Sequence, residues 1–329
     1  MTVTIVEWLL VCRYKIIESL SVKIAITGAT GFVGSRLVQK LNAENHQIIV
    51  LTRNVIKAQR IFPSLTFPNL EFVTYMPKDS GEWQESISGC DAVINLAGEP
   101  IAERWTAQQK QEILESRQLG TRKIVEAIAK AAVKPKVLVS GSAIGYYGTS
   151  ETAVFEETSP SGSDFLAQVC QNWEAEAVKA KEFGVRLAIL RIGIVLANGG
   201  GALAKMMGPF QFFAGGPIGN GRQWFSWIHR DDLVNLIVEA VTNEQMSGVY
   251  NATAPNSVTM KQFCENLGEA INRPSWLPVP EFALELLLGD GAMVVLEGQK
   301  VLPKKAQTLG FQFQYPDLKL ALKEIIRNS

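Results

Sequence analysis

The sequence of 329 residues has no excess of charge and few of the residues that build metal or disulfide sites. Its 32 basic and 32 acidic residues give a formal net charge of +0 at pH 7. Without a basic surface, a nucleic-acid partner is disfavoured. The four cysteines, Cys12, Cys90, Cys170 and Cys264, form no CxxC pair. Such scattered cysteines favour a reducing compartment over a disulfide framework or a zinc site, and no metal is predicted.

Long apolar runs are also absent. The run from Trp8 to Cys12 is too short to span a membrane. The first 21 residues lack both a basic start and the small-residue cleavage site of a signal peptide. We interpret residues 1–21 as an N-terminal extension. The sequence predicts a cytoplasmic protein with no integral membrane segment.

From Val22 to Leu196, short β-branched apolar runs alternate with helical patterns. Several of these runs are apolar on both faces, which is typical of a parallel, doubly wound sheet in an α/β protein. Residues 22–196 are predicted to form a dinucleotide-binding domain, with a late return segment near residues 228–250. Residues 197–329 are rich in glycine and aromatic residues and are predicted to form a smaller substrate-side region, with a distinct tail from about residue 275.

The stretch TGATGFVG contains Gly28, Gly31 and Gly34 directly after a predicted strand and at the start of a predicted helix. The first glycine permits the tight turn, the second lets backbone approach a pyrophosphate, and the third allows close packing of helix on strand. The helix N-terminus adds free N–H groups. We therefore predict a Rossmann-type dinucleotide site, in preference to a ligand-free turn. The predicted contacts are Thr27, Gly28, Thr30, Gly31, Phe32, Val33 and Gly34.

The end of the second predicted strand indicates which dinucleotide is bound. NAD-dependent enzymes usually place a carboxylate there for the ribose 2′-hydroxyl. This chain has Thr52, Arg53 and Asn54 instead. The planar guanidinium of Arg53 suits a 2′-phosphate, and Arg36 is a second candidate. The sequence therefore favours NADP(H) over NAD(H), the alternative being that Arg53 is a solvated surface charge.

With these residues the chain resembles the extended short-chain dehydrogenase/reductase superfamily, which includes nucleotide-sugar epimerases and dehydratases. The resemblance is carried by TGATGFVG, NLAG, SGSAIGYYG and WIHRDDL. It implies further cofactor contacts at Asn95, Leu96, Ala97, Gly98, Ser140 and Arg191. Helix pairs often join such proteins as dimers, so a homodimer is an expectation.

A closer resemblance is to the atypical epimerase family that carries a DUF1731 C-terminal domain. The stretches that carry it extend from AGEPIAERW and SRQLGT to GNGRQWFSWIH and LPVPEFALELLLGDGA. Some relatives in cyanobacteria and plastids are linked with cell or plastid division. Activity within this family is poorly defined, so its name does not by itself imply a reaction.

The superfamily's usual Tyr–Lys pair is missing. It normally lies in a helix that corresponds here to residues 161–177, where Tyr works as acid/base and Lys lowers its pKa and holds the ribose. The Tyr position falls on Leu166 or Phe165, and the Lys position on Cys170 or Val169. No tyrosine lies between residues 148 and 249. The single YxxxK pattern, at Tyr315, is interpreted as coincidence.

Four residues remain as catalytic candidates: Ser142, Tyr147, Glu99 and His229. Ser142 matches the superfamily's catalytic hydroxyl, and Tyr147 follows it on the same loop. Glu99 and His229 would need burial or an orienting carboxylate, Asp231 or Asp232, to act as a base. Each has a structural alternative: a packed tyrosine, a surface carboxylate or a histidine that anchors its loop. The substrate-side candidates are Tyr146, Arg222, Gln223, Trp224 and Trp227.

Two functions follow from the sequence. The first is an NADP(H)-dependent oxidoreductase or epimerase that acts on a carbonyl or nucleotide-sugar-like substrate without the usual Tyr–Lys pair. The second is a regulatory or scaffold protein that binds the dinucleotide without turnover. The intact glycine motif supports both, and the missing pair favours the second.

Overall fold

The computed structural model describes residues 21–327, and these residues include a parallel sheet of seven strands. The strand order is β3-β2-β1-β4-β5-β7-β11. These strands are β1 (Lys23–Thr27), β2 (Gln47–Thr52), β3 (Leu70–Thr74), β4 (Ala92–Asn95), β5 (Val137–Ala143), β7 (Arg186–Ile192) and β11 (Gly248–Ala252). The predicted Rossmann-type α/β fold is confirmed. Its strand order reverses between β1 and β4, where ligands bind in open α/β sheets.

Helices cover both faces of this sheet. They are α1 (Gly34–Ala43), α2 (Val55–Ile61), α3 (Ala107–Lys130), α4 (Phe165–Val178) and α6 (Arg230–Thr242). Side chains alternate between the faces: Ile24 and Ile26 pack towards α1 and α6, whereas Ala25 packs towards α3. This explains why the strands read as continuous apolar runs in the sequence.

The apolar run VRLAILRIGIVL, residues 185–196, reads as one strand in the sequence but forms two strands in the structure. After β7 the chain continues as β8 (Ile194–Leu196), which leaves the large sheet and pairs with β10 (Trp227–His229). The break falls at Gly193, where a Cβ would lie 2.6 Å from the carbonyl oxygen of Ser226. Only glycine tolerates this close approach of two backbone segments. The break was not visible in the sequence, because the apolar pattern runs through it.

The remaining helices and strands do not belong to the seven-stranded sheet. They are β6 (Val154–Phe155), α5 (Gly201–Gln211), β9 (Trp224–Phe225), β12 (Val258–Thr259), α7 (Met260–Ile271), α8 (Glu281–Leu288), α9 (Met293–Leu296), β13 (Lys300–Val301), α10 (Lys304–Thr308) and α11 (Leu318–Arg327). A separate core joins α7 to α11 through side chains such as Phe263, Leu267 and Leu322. The predicted N-terminal extension lies almost entirely outside the described residues. In the described part, no helix is long and apolar enough to cross a membrane.

Candidate functional site

The glycine-rich turn after β1 is held by close backbone contacts. Gly28 has a φ of 71°, and a Cβ there would lie 2.9 Å from the amide nitrogen of Ala97. A Cβ on Gly34 would overlap the carbonyl oxygen of Gly28, so α1 packs directly on the turn. At Gly31 the nearest atom to a Cβ would be the Gly28 oxygen at 3.1 Å, and Gly31 is exposed. Gly31 thus leaves the turn open to a bound group.

The turn forms one wall of a cleft of about 470 Å³ between the ends of β1, β2 and β4. Hydrogen bonds of Thr27 connect the carboxyl ends of β1 and β4 at the cleft. The Thr27 hydroxyl donates to Asn95 Oδ1 over 2.6 Å and accepts hydrogen bonds from the amide N–H groups of Leu96 and Ala97. Thr30, Gly31, Leu96, Ala97 and Gly98 line the cleft, as does Glu99, whose amide N–H donates to Ser116.

Arg53, Asn54 and Lys57 form the cationic end of the cleft, next to the carboxyl end of β2. Asn54 caps α2 by accepting the amide N–H of Lys57. Arg36, the second predicted contact for a 2′-phosphate, lies elsewhere. It binds Asp231 in two places, at 2.7 and 3.1 Å, and lines a different surface depression. That contact favours a structural role for Arg36, because two N–H groups of its guanidinium already bind the Asp231 carboxylate.

The cleft fits a dinucleotide in two further respects. Its glycines occupy positions that side chains would fill, and a buried donor lies in its wall. The hydroxyl of Tyr75 is buried, lines the cleft and has no hydrogen-bond partner among the described residues. Burial also raises the pKa of Tyr75, so the phenol stays protonated and can donate. A bound group would remove the cost of that unpaired donor.

A second cavity of about 470 Å³ adjoins the cleft and is mainly apolar. Phe32 of the glycine-rich turn, Ile144, Leu166, Val195 and Trp224 contribute to its walls. Phe32 was predicted as a cofactor contact; it lines this second cavity. We call it the apolar pocket. Its position beside the glycine-rich turn suits the reactive end of a dinucleotide together with a small-molecule substrate.

Helix α4 contributes no ionisable pair to the apolar pocket. Leu166 and Cys170, at the positions predicted for the missing pair, both line it. Burial raises the pKa of the Cys170 thiol to about 11, so the thiol is neutral. Asp164 caps the helix by accepting the amide N–H of Ala167. The Tyr–Lys pair that is missing from the sequence is therefore also missing from the wall that α4 contributes to the apolar pocket.

Ser142 and Tyr147 belong to a buried polar network that lines neither cavity. The Ser142 hydroxyl donates to Glu174 over 2.6 Å, and Glu174 pairs with Arg191 through contacts of 2.9 and 2.8 Å. Arg191 also donates to the Tyr147 hydroxyl, which in turn donates to Asn251 over 2.7 Å. Burial raises the pKa of Tyr147. Both hydroxyls are thus engaged as structural donors.

The sequence missed the centre of this network. Glu174 was not among the predicted site residues, and Asn251 lies in β11, far along the chain. Arg191, predicted as a cofactor contact, faces Glu174, and its guanidinium carbon lies 3.3 Å from the ring centre of Tyr146. The hydroxyl of Ser140 is buried and donates to the carbonyl oxygen of Gly141. The available signal in the sequence was a carboxylate, Glu174, next to the apolar stripe of α4, and the sequence does not show that this carboxylate is buried.

His229 anchors the start of α6. Its Nδ1 accepts the amide N–H of Asp231, and its Nε2 lies 3.1 Å from a carboxylate oxygen of Glu324. The sequence expected Asp231 or Asp232 as the orienting carboxylate, but Glu324 on α11 supplies it. Burial lowers the pKa of His229. The ring also stacks on Tyr315, with centres 3.9 Å apart, so this histidine sits inside the protein and away from the apolar pocket.

The substrate-side candidates separate in the structure. Trp224 lines the apolar pocket, whereas Trp227 is fully buried and bonded to the Asn256 carbonyl. Gln223 is buried and donates to the carbonyl groups of Ile218 and Val295. Arg222 is exposed and lies 3.7 Å from Glu151. Val33 precedes α1 as its N-cap residue.

One cation of the apolar pocket was missed by the sequence. Arg117 of α3 lines it, and Gly98 packs so closely that a Cβ there would lie 3.0 Å from the guanidinium carbon. Arg117 belongs to the SRQLGT stretch, which contributed to the family resemblance, but the sequence did not predict that Arg117 contacts a ligand. Within residues 21–327, no group of histidine, cysteine and carboxylate side chains is arranged to hold a metal ion.

The sheet, the glycine-rich turn and the cleft define a dinucleotide-binding protein of the Rossmann type. A family model described as the NAD dependent epimerase/dehydratase family matches residues 24–253, and a model of a domain of unknown function, DUF1731, matches residues 279–325. The chain therefore belongs to the NAD-dependent epimerase/dehydratase family and carries a DUF1731 domain, which confirms the resemblance found in the sequence.

Similar proteins agree with this assignment. The chain is 55% identical over 306 residues to the epimerase family protein SDR39U1 homolog, chloroplastic, of Arabidopsis thaliana, covering 92% of this chain and 86% of that protein. A crystal structure of human epimerase family protein SDR39U1 (isoform 2) with NADPH has a TM-score of 0.81 and 34% identity, covering 93% of this chain and all of that one. UDP-glucuronic acid 4-epimerase from Bacillus cereus in complex with NAD shares the fold, with a TM-score of 0.74 and 19% identity over 92% of this chain and 94% of that one.

Proposed function

We propose that this protein is an NADP(H)-dependent oxidoreductase or epimerase that acts on a carbonyl compound in the apolar pocket. One observation carries the proposal: the cofactor cleft and the apolar pocket adjoin at the glycine-rich turn, at the carboxyl edge of the sheet. Open α/β sheets bind their ligands at this edge. A bound dinucleotide would supply hydride chemistry there, and the protein would bind, orient and exclude water.

Charge at the end of β2 supports NADP(H) as the preferred dinucleotide. Arg53 and Lys57 both line the cleft there, and the carboxylate that lines the cleft, Glu99, lies at the end of β4 instead. A 2′-phosphate would meet two cations and no acidic neighbour at that point. The human relative was crystallised with NADPH and the Bacillus cereus protein with NAD, so the family fold accommodates either dinucleotide.

The proposed reaction also needs a residue that donates or accepts a proton at the substrate. Ser142, Tyr147, Glu99 and His229 stay predictions as catalytic residues. Among them Glu99 lines the cofactor cleft, whereas the contacts of the other three favour structural roles. Glu99 is therefore the preferred candidate for acid/base work.

A second function is favoured by the engaged hydroxyl groups of Ser142 and Tyr147. A regulatory or scaffold protein would keep the cofactor cleft and need no proton donor. A link with cell or plastid division rests on the family resemblance alone. The cytoplasm stays the predicted location, although the Arabidopsis relative is named as chloroplastic. A homodimer also stays a prediction.

Binding and turnover measurements test the proposal. Purified protein is titrated with NADPH and with NADH while its tryptophan fluorescence is followed. We expect NADPH to bind more tightly; equal binding, or none, contradicts the NADP(H) assignment. A panel of carbonyl compounds and nucleotide sugars is then screened for NADPH oxidation. Tight NADPH binding without turnover over the whole panel would favour the regulatory function, and turnover that Glu99→Gln abolishes would support the enzyme.

A further inference from the structure

Arg117 brings a positive charge into the wall of the apolar pocket from helix α3. Its guanidinium carbon lies 5.3 Å from the ring centre of Trp173 on α4. Nη1 donates to the carbonyl oxygen of Ile113 over 3.1 Å, which uses one of the five N–H donors of the group. Arg117 is half-buried, and part of its accessible surface faces the apolar pocket.

The arginine side chains within residues 21–327 differ in their partners, and the buried Nε of Arg230 has none. Arg191 pairs with Glu174, Arg36 with Asp231, and Arg186 donates to three carbonyl oxygens at the end of α6. Among the residues that the structure describes, no carboxylate oxygen lies within 4.0 Å of an Arg117 nitrogen, and the more distant Glu99 acts on the pKa of Arg117 only through its charge. Burial lowers the pKa of Arg117, yet an arginine keeps its charge at physiological pH. An enclosed cation without a counter-ion is costly unless a ligand supplies the opposite charge.

Arg117 lines the same pocket as the positions on α4 where the superfamily's Tyr–Lys pair is missing. Leu166 and Cys170, which replace the expected pair, line the same pocket. The guanidinium packs against the backbone at Gly98, where the cofactor cleft meets the apolar pocket. The pocket therefore keeps a cation beside its reactive end, although this cation comes from α3 and no phenol accompanies it. Its task is then to hold negative charge and not to tune a tyrosine.

We propose that Arg117 anchors a carboxylate carried by the carbonyl substrate, so that the natural substrate is an oxoacid. This inference rests on the proposed function. A planar guanidinium fork matches a carboxylate with two parallel hydrogen bonds, and the apolar walls suit the remaining carbon skeleton. The pocket's own carboxylates are engaged: Asp164 caps α4, and Glu297 accepts from the Thr149 hydroxyl over 2.6 Å. Glu99 also acts on Arg117 through its charge, but it lines the cofactor cleft and not the apolar pocket. A further source of negative charge is the diphosphate of the cofactor, and the experiment separates it from the substrate.

Calorimetric titration of the NADPH-saturated protein tests the proposal with matched probes. The probes are benzoate and hexanoate, each beside its neutral amide. The variants are Arg117→Met, which keeps the length without the charge, and Arg117→Lys, which keeps the charge without the fork. Lys205→Met is the control, because Lys205 also lines the pocket but is exposed, with its ammonium bonded to the Ala102 carbonyl. Thermal unfolding confirms that each variant folds.

We expect the wild type to prefer at least one carboxylate over its amide. Arg117→Met should weaken carboxylate binding about tenfold or more, and Arg117→Lys by less, since charged hydrogen bonds are lost or only partly kept. Amide binding, NADPH affinity and the Lys205→Met variant should change less than about twofold.

Three results would overturn the proposal. The first is a wild type that shows no carboxylate preference with either pair of probes. The second is an Arg117→Met variant that loses NADPH affinity as strongly as carboxylate affinity, which would assign the cation to the cofactor diphosphate. The third is an equal loss in Lys205→Met. Failure of the proposed function is distinct, because it would appear as a wild type that does not bind NADPH, while the charge preference can still be measured without cofactor.

Discussion

Glu174 and Arg191 form an ion pair in the interior of the protein. Their side chains are 10% and 4% exposed, and they connect α4 to β7. Burial by itself would lower the pKa of Arg191, but its hydrogen bonds to Glu174 raise the pKa above its ordinary value. The pair orients the hydroxyl groups of Ser142 and Tyr147 through hydrogen bonds, so both hydroxyl groups take part in the packing of α4 against the sheet.

Replacing Arg191 by Met should destabilise the fold by about 3–5 kcal/mol, because Glu174 would be left charged and buried without its partner. The free energy of unfolding is measured by urea denaturation. The double variant Arg191→Met, Glu174→Leu should recover part of the loss, since it removes both charges. A loss under about 1 kcal/mol in the single variant would mean that solvent reaches the carboxylate.

Arg53 carries the prediction about the cofactor. Arg53→Ala should weaken NADPH binding by about 10- to 100-fold, because a charged hydrogen bond to the 2′-phosphate is worth about 1.5–3 kcal/mol. NADH affinity should stay unchanged, since NADH lacks that phosphate. Arg60→Ala is the matched control: Arg60 lies on α2, which begins two residues after Arg53, is exposed and does not line the cleft. A parallel loss for both dinucleotides would contradict the assignment.

Residue-scale prediction from sequence worked where the determining contacts are local. The glycines at 28, 31 and 34 act on each other within one turn, so their spacing was enough. Arg36 shows the limit. It lies near the same turn in sequence, but the partner that fixes its direction, Asp231, is 195 residues away. Arg117 was missed for the same reason, because the pocket it lines is assembled from distant segments.

At the scale of elements, the junction of β1 and α1 depends on the absence of a single side chain. Gly34→Ala should abolish NADPH binding and destabilise the fold by about 1–3 kcal/mol, because its Cβ would overlap the Gly28 carbonyl and push α1 off the turn. Gly120→Ala is the control, since Gly120 lies inside α3 with its nearest contacts at an ordinary 3.8 Å.

The control should gain about 0.5–1 kcal/mol, because alanine favours a helix over glycine. Titration with NADPH and urea unfolding are compared for both variants. Normal NADPH affinity in Gly34→Ala would show that the turn can open without harm, contrary to its packing.

Helix α6 begins at a histidine whose burial creates a pH dependence. Burial lowers the pKa of His229, although Asp231 and Glu324 act in the opposite direction. Below the ordinary histidine pKa of about 6.5, the unfolded chain therefore binds more protons than the folded chain. This contribution to stability is complete above that pH and declines as the pH falls towards the folded pKa.

His229→Asn should flatten the dependence of unfolding free energy on pH between about 5 and 7, because asparagine can still cap the helix but does not titrate. Urea unfolding at several pH values gives the slope for each protein. An unchanged slope would assign the acid sensitivity to other groups. A steeper slope would mean that His229 is charged in the folded protein.

Helix α4 illustrates what an element reveals through its sequence alone. Positions four residues apart share a face, so the replacement of Tyr and Lys by Leu166 and Cys170 could be located before the pocket was known. The cap at Asp164 is likewise local, since it binds the amide N–H of Ala167 three residues away. What could not be foreseen is that the helix carries a buried charge, Glu174, because its partner lies on another element.

For the whole molecule, the alternation of strands and helices was enough to predict the sheet, since right-handed crossovers leave few topologies. The C-terminal region was harder. Its strands are two or three residues long, such as β9 and β13, and they pair with segments far away in sequence. Short strands carry no periodic signal, so this half of the apolar pocket emerges only in three dimensions.

Asp232 links the C-terminal region to the sheet domain, and its loss should loosen that region selectively. The residue is fully buried, and its carboxylate accepts the amide N–H groups of Gln314 and Tyr315 over 2.8 and 2.9 Å. Asp232→Ala should cost about 1.5–3 kcal/mol, the value of a hydrogen bond to a charged group, and more if both amides stay unpaired.

Amide hydrogen exchange shows where this loss acts. Exchange should accelerate mainly in residues 303–327 while β1, β4 and β5 stay protected, because the region can open locally once its anchor is gone. Asp317→Ala is the control: Asp317 is exposed and accepts the Leu320 amide at the start of α11, so its loss should fray that helix alone. A uniform acceleration across the sheet would instead show that the two regions unfold as one unit, with the DUF1731 segment built into the core of the fold.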